Sequence, residues 1–287
     1  MKLKKKTSSL LIVLLTLVMV FAFTACGDKK TGSSSSSDSG LELFTEGKLT
    51  VATDEPAWGP WVLDNNPESG EGFESALVYA IADYLGFAKE DVVWVRAPFD
   101  ASISPGAKDY DFNLQQFSIT DERKEVVDLT SPYFQEPRAV ITMKDGKYAA
   151  TTSISEFKDA LFGAASGDVA NQITEEFINP TKDVQVFTNL VDVLAALKTG
   201  QIDATVVGIT TASWIIYDEQ LNENGVINGI IPGSADVSAG FGLLLPKDSP
   251  NTAILSKVIE ELDSNGTLKE LSDKWLGDYN SIPELAK

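Results

Sequence analysis

Short apolar runs alternate with segments of helical spacing along most of the chain. Residues 48–53 (KLTVAT) read as a strand. Phe73, Leu77, Ile81 and Tyr84/Leu85 then recur at near-helical intervals and predict a helix over 73–85. Residues 92–95 (VVWV) predict the next strand, and the run 111–117 (DFNLQQF) another, followed by a helix opened by Thr120. Thr120 is suited to cap that helix, and Asp121 and Glu122 favour the positive end of its dipole. Residues 138–143, 162–166, 184–187 and 204–208 read as strands of a second sheet, each of the last three followed by a helical segment. The helix over 190–199 carries Leu190, Leu194 and Leu197 on one face and stops at Gly200. A strand at 241–246 (FGLLLP) and helices over 251–263 and 267–276 complete an α/β alternation. No internal repeat, glycine-rich phosphate loop or cluster of metal-ligand spacing interrupts it.

The first residues break this pattern. Lys2, Lys4, Lys5 and Lys6 precede an apolar run over 10–23, and small residues follow before Cys26, so residues 1–25 are expected to act as a secretory signal. The run is shorter than the roughly 20 residues a membrane-crossing helix needs. FTAC (23–26) resembles the bacterial lipobox, with Phe23 where that motif prefers leucine. The resemblance implies that Cys26 receives acyl chains of the palmitate type and becomes the mature amino terminus. Two such chains, at about 0.8 kcal/mol per buried methylene, anchor a protein stably. Cys26 is the sole cysteine, so no disulfide forms within the chain. The Ser/Gly-rich residues 26–42 read as a flexible tether.

Charge and composition then narrow the function. Without the four signal lysines, 19 basic residues face 42 acidic ones, a formal charge of −23. Nucleic acid and anionic lipid surfaces are poor partners for such a field. There is no histidine, and the single cysteine lies at the signal. The common neutral-pH proton shuttles, thiol nucleophiles and His/Cys metal sites are therefore missing, and no cofactor or metal is expected. Carboxylates and lysines remain available.

Arg123 poses a question, because Asp121, Glu122, Glu125 and Asp128 surround it in sequence. It either balances those carboxylates at the surface, an arrangement worth little, or is kept free to hold an anionic group. The motifs around it favour the second. KLTVATDEPAWGPW (48–61), GEGFESAL (70–77), SITDERKEVVDLTSPYF (118–134), ALKTGQIDATV (196–206) and GTLKELSDKWLG (266–277), in this order, resemble the polar-amino-acid branch of the solute-binding proteins that serve ABC importers.

The resemblance implies an α/β fold of two lobes, the type II periplasmic-binding-protein or Venus flytrap arrangement, joined by two crossing strands with the ligand between them. Lobe 1 would comprise 43–137 plus 234–287 and lobe 2 residues 138–233. The expected role is a non-enzymatic, monomeric, lipid-anchored binding protein on the extracytoplasmic face of the cell membrane. It would deliver a polar amino acid or close analogue to a transmembrane permease driven by a cytoplasmic ATPase. A sensory ligand-binding module and a dehydratase-type enzyme on the same scaffold are the rival readings.

Residue by residue, the resemblance implies that Arg123 grips the ligand carboxylate, with guanidinium matching it bidentately. Ser118 and the backbone at Gln116 and Phe117 would hydrogen-bond the ligand, and Trp58 would stack on it. Trp61 is expected in the core. Asp54 could meet a cationic or amide side chain. Two positions depart from the family pattern: many relatives carry an aspartate for the ligand ammonium where this chain has Gly208, and Thr-Thr where it has Asp168 and Val169. Either Asp168 supplies the missing charge, with Asp54, Glu55 or Glu74 as further candidates, or the ligand is not a standard α-amino acid.

Overall fold

The computed structural model describes residues 40–217, 221, 224–277 and 281–287. The signal, Cys26 and nearly all of the tether lie outside the described residues. Two five-stranded sheets organise the rest. The first is built from β1 (Leu49–Thr53), β2 (Val92–Arg96), β3 (Phe112–Asn113), β4 (Val127–Leu129) and β10 (Leu244–Pro246), in the order β2-β1-β3-β10-β4. β1 runs parallel to β2 and β3, and β10 is antiparallel to β3 and β4. All of β1 is buried, which suits an apolar run in a sheet covered on both faces.

The second sheet holds β5 (Arg138–Met143), β6 (Phe162–Ala165), β7 (Gln185–Phe187), β8 (Ala204–Gly208) and β9 (Gly225–Ile230), in the order β7-β6-β8-β5-β9. Along β5 the side chains divide by the period of two: Ala139 and Ile141 join the core on one face, Val140 the core on the other.

The helices lie where the apolar stripes put them. α1 (Phe73–Tyr84) buries Phe73, Leu77 and Ile81 completely in the first core, joined there by residues of α7 (Asn251–Ser264) and α8 (Thr267–Trp275). Trp61 is fully buried in the same core, as expected. α2 (Phe99–Ile103) is short, and α3 (Asp121–Val126) is capped as the sequence suggests, Thr120 Oγ1 accepting from the Arg123 N–H at 3.2 Å. In the second lobe come α4 (Ala170–Ile173), α5 (Leu190–Lys198), with Asn189 capping the Asp192 N–H, and α6 (Ile209–Tyr217), which follows β8 without a break.

Segments 130–138 and 230–243 join the sheets and hold each other. Tyr133 N–H donates to Phe241 O, Phe241 N–H to Phe134 O, and Ile231 N–H to Arg138 O, at 2.7–2.8 Å. One departure from the expected division concerns the carboxyl end. α7 and α8 pack on the first core, but residues 283–286 lie on the second sheet: Ile230 N–H donates to Pro283 O, Leu285 N–H to Ile230 O and Ile154 N–H to Ala286 O. Leu285 is 2 % exposed in a second-lobe core. Residues 234–287 therefore do not all belong with lobe 1, because a buried leucine and a short strand-like pairing fix the tail to lobe 2.

Candidate functional site

The carboxyl ends of β1, β6 and β8 point at one another across the gap between the sheets, the place where open α/β sheets bind ligands. A cavity occupies this gap. Thr53, Asp54, Trp58, Glu74, Phe99 and Gln116 line it from the first lobe, and Ser166, Asp168, Asn189, Gly208 and Thr211 from the second; Glu136, Arg138 and Phe241 come from the crossing segments. Of the residues singled out in the sequence, Asp54, Trp58, Gln116, Asp168 and Gly208 are thus brought together. Arg123, Ser118 and Phe117 stand behind the lining.

Arg123 is 7 % exposed and holds no carboxylate. Its guanidinium donates to Ser118 O at 2.8 Å and, across the gap, to Gly167 O at 2.6 Å, with the Phe99 ring 5.4 Å beneath. Two of its four acidic sequence neighbours take other partners: Lys124 lies 3.8 Å from Asp121, and Lys247 lies 3.5 Å from Asp128. Burial lowers the Arg123 pKa to about 10, opposed by the Asp168 charge, so the side chain stays cationic at neutral pH. Phe117 is fully buried and stacks on Phe99 at 5.0 Å, and its carbonyl accepts from the Gly242 N–H.

Ser118 links two arginines. Its carbonyl serves Arg123, while its Oγ accepts from Arg138 Nη2 at 3.1 Å. Arg138 is 8 % exposed, lies 3.9 Å from Asp168 Oδ1 and stands 5.6 Å above the Phe241 ring. Asp168 also accepts the Ala170 N–H at 2.8 Å, capping the turn that follows β6.

Two carboxyls in the lining are buried. Glu74, in the first turn of α1, accepts from Gln116 N–H at 2.9 Å, Gln116 Nε2 at 2.7 Å and the Tyr133 hydroxyl. These bonds hold Gln116 in a left-handed conformation, φ 51°, that a non-glycine residue rarely adopts. Burial raises the Glu74 pKa to about 7 against the pull of those donors. Glu136 is 5 % exposed and accepts from the Thr210 N–H at 2.8 Å; burial raises its pKa too, opposed by the Arg138 charge. Asp54, less enclosed, is raised for the same reason and accepts from the Glu55 N–H. Trp58 reaches across to pack on the second-lobe core. Its lobe also holds on through Trp61, whose Nε1–H donates to Thr211 Oγ1 at 3.0 Å.

Sequence reasoning missed Glu136 and Arg138. The available signal was two opposite charges flanking Pro137 at the point where one lobe gives way to the other, next to an apolar strand. Among the described residues, no group of three or more His, Cys, Asp or Glu is placed to hold a metal ion, and no helix is long and apolar enough to cross a membrane.

A chamber between two lobes, with buried charges of both signs, is the arrangement of a protein that encloses a small polar solute. Known proteins agree with that description. The chain is 25% identical over 271 residues to the arginine-binding extracellular protein ArtP of Bacillus subtilis, covering 92% of this chain and 96% of the relative. It is 28% identical over 280 residues to the ABC transporter glutamine-binding protein GlnH of the same organism, with the same coverage. Among solved structures, an ancestral arginine-binding protein bound to arginine superposes with a TM-score of 0.64 at 26% identity, covering 80% of this chain and 99% of the other. Residues 49–278, which carry both sheets and the lining of the cavity, match one family throughout, and the chain belongs to the bacterial extracellular solute-binding proteins, family 3.

Proposed function

We propose that this protein captures an amino acid or a close analogue between its lobes and hands it to the permease of an ABC importer, itself powered by a cytoplasmic ATPase. The observation that carries this reading is the presence of Arg138 and Glu136 in the lining of one cavity, a buried cation and a buried carboxylate not paired with each other. A zwitterion complements such a pair, since each end of it repays the desolvation of one buried charge. The arginine- and glutamine-binding names of the relatives point the same way. Ligand contacts with both lobes stabilise the closed form, and the permease reads closed from open.

The protein acts as an exported monomer, held at the extracytoplasmic face of the cell membrane by acyl chains on Cys26. It releases its ligand unchanged. The binding-protein names of the relatives, for arginine and for glutamine, support that role.

A thermal-shift screen of the purified protein against the twenty standard L-amino acids and close analogues of them tests this. At 100 times its dissociation constant a ligand adds about 2.7 kcal/mol, or about 5–10 °C for a domain of this size. Such a shift with at least one of these compounds is expected. None with any of them, or net consumption of the one that binds, would overturn the reading.

A further inference from the structure

Glu136 is placed unlike the other carboxylates of the cavity. It sits on the first crossing segment beside Pro137, and its Oε2 accepts the Thr210 N–H at 2.8 Å from the first turn of α6. Its Oε1 fills the space over the Cα of Gly208: a Cβ at that position would overlap this oxygen. Glycine at 208 is thus the condition for a carboxylate at the end of β8, delivered from another segment. The nearest candidate counter-ion is turned elsewhere, because Arg138 donates to Ser118 Oγ and leans to Asp168, and no nitrogen of it comes within ion-pairing distance of Glu136. A buried carboxylate with no cation in ion-pairing contact is costly to keep ionised, and the more distant Arg138 charge only reduces that cost. A cation arriving in that cavity removes the cost.

The other acidic groups are already engaged. Asp168 caps the Ala170 N–H, lies near Arg138 and has a side chain 35% exposed. Glu74 has both oxygens hydrogen-bonded. Asp54 accepts from its neighbour Glu55, on the side of Arg96.

We propose that Glu136 receives the α-ammonium of the bound amino acid, taking the place that Asp168 was expected to fill, and so selects amino acids over the corresponding acids without an α-amino group. The assignment rests on the proposed function. Arg138, two residues on, lines the same cavity and is available to the ligand carboxylate, so a single Glu-Pro-Arg stretch meets both ends of a zwitterion. Gly208 then marks a relocated charge rather than a lost one.

Calorimetry on the purified protein decides it, with L-arginine, L-glutamine and L-histidine as probes, each beside its desamino acid. Glu136→Gln keeps the size and an acceptor for Thr210 but removes the charge. It is expected to weaken the best-bound of the three amino acids by about 30-fold or more, the scale seen when a buried charge pair loses one member. Its desamino acid should change by less than about threefold. Asp168→Asn caps equally well but loosens the hold on Arg138, so it should change the amino acid and its desamino acid by the same factor.

If Glu136→Gln proves poorly folded, Glu136→Ala alone is compared with Glu136→Ala combined with Gly208→Asp. The second puts a carboxylate back into the emptied space and should bind about tenfold more tightly or better. Retained affinity in Glu136→Gln, a loss of amino acid relative to desamino acid confined to Asp168→Asn, or no recovery in the double variant overturns the assignment while the amino-acid-binding reading stands. Failure of the wild type to bind any amino acid or analogue in the thermal-shift screen overturns both.

Discussion

Replacing Glu74 by glutamine should make the protein more stable than the wild type by an amount that grows as pH rises. Glu74 is fully enclosed, and burial lifts its pKa from 4.5 to about 7; the Tyr133 hydroxyl and the Gln116 backbone and side-chain donors oppose the rise, and the neighbouring Glu136 charge adds to it. Below about pH 4.5 the carboxyl is protonated in both folded and unfolded chains, and its titration costs nothing. Between 4.5 and 7 the folded state keeps a proton that the unfolded state has released, so stability falls with rising pH. Above 7 the full cost remains. At about 1.4 kcal/mol per pH unit, that interval amounts to about 3 kcal/mol. Glutamine does not titrate, and the misfit of its amide group against Gln116 adds only an offset that is the same at every pH. Urea unfolding of both proteins without ligand, followed by tryptophan fluorescence from about pH 4.5 to 8, reads the effect of Glu74 together with its coupling to Glu136, because the titrating groups away from Glu74 cancel in the difference. The gap should widen by about 3 kcal/mol in favour of Glu74→Gln. A flat difference would mean that Glu74 titrates as in an open chain, and a gap that widens the other way would mean that the three donors outweigh burial.

Three further outcomes are expected. Arg123→Ala removes the hydrogen bond to Gly167 O that spans the cleft and should weaken the best amino acid by about 30-fold or more. Arg123→Lys should not restore it, since an ammonium lacks the fork that serves two carbonyls; an unchanged dissociation constant in calorimetry would leave Arg123 a structural residue. Leu285→Ala should cost about 2–4 kcal/mol in urea unfolding, and a negligible cost would show that the tail does not dock on lobe 2 in solution. Cys26→Ser should shift the protein from the detergent to the aqueous phase in a partition assay, and continued partition with detergent would refute acylation at that residue.

Much of the fold could be read from the sequence because its strands are short and uninterrupted. Residues 138–143 and 204–208 fall where expected, since nothing but packing acts on them. The misreadings have local causes. FGLLLP yields a strand over 244–246 alone, because Phe241 is drawn aside to bridge Ser118 and Phe134 in the crossing. β9 (GVINGI) escaped notice because glycine interrupts it; Gly229, at φ 157°, stands where the pairing with β5 shifts register. In the site, Asp54, Trp58 and Gln116 were singled out within motifs that resemble the family's, and all three line the cavity. Glu136 and Arg138 were not, because their burial depends on two distant segments meeting, and a charged pair around a proline otherwise reads as solvent-exposed linker. Arg123 was singled out as a grip for the ligand carboxylate, whereas its burial and its carbonyl partner at Gly167 depend on the approach of the lobes.

The docking of 283–286 on the second sheet also changes what the ends of the chain can report. The first described residues are fastened to lobe 1, Glu42 exchanging two hydrogen bonds with Asn251 and the Phe44 N–H donating to Asp111. The last are fastened to lobe 2. The two ends are therefore fastened to different lobes, and a rotation of one lobe on the other that displaces one end relative to its counterpart alters the distance between them. A donor fluorophore fused near residue 40 and an acceptor fused after residue 287 would convert capture of a solute into a change in energy transfer, with no label near the cavity. A force applied between the same two points in an optical trap would likewise act on the cleft itself, so its closing energy could be weighed directly.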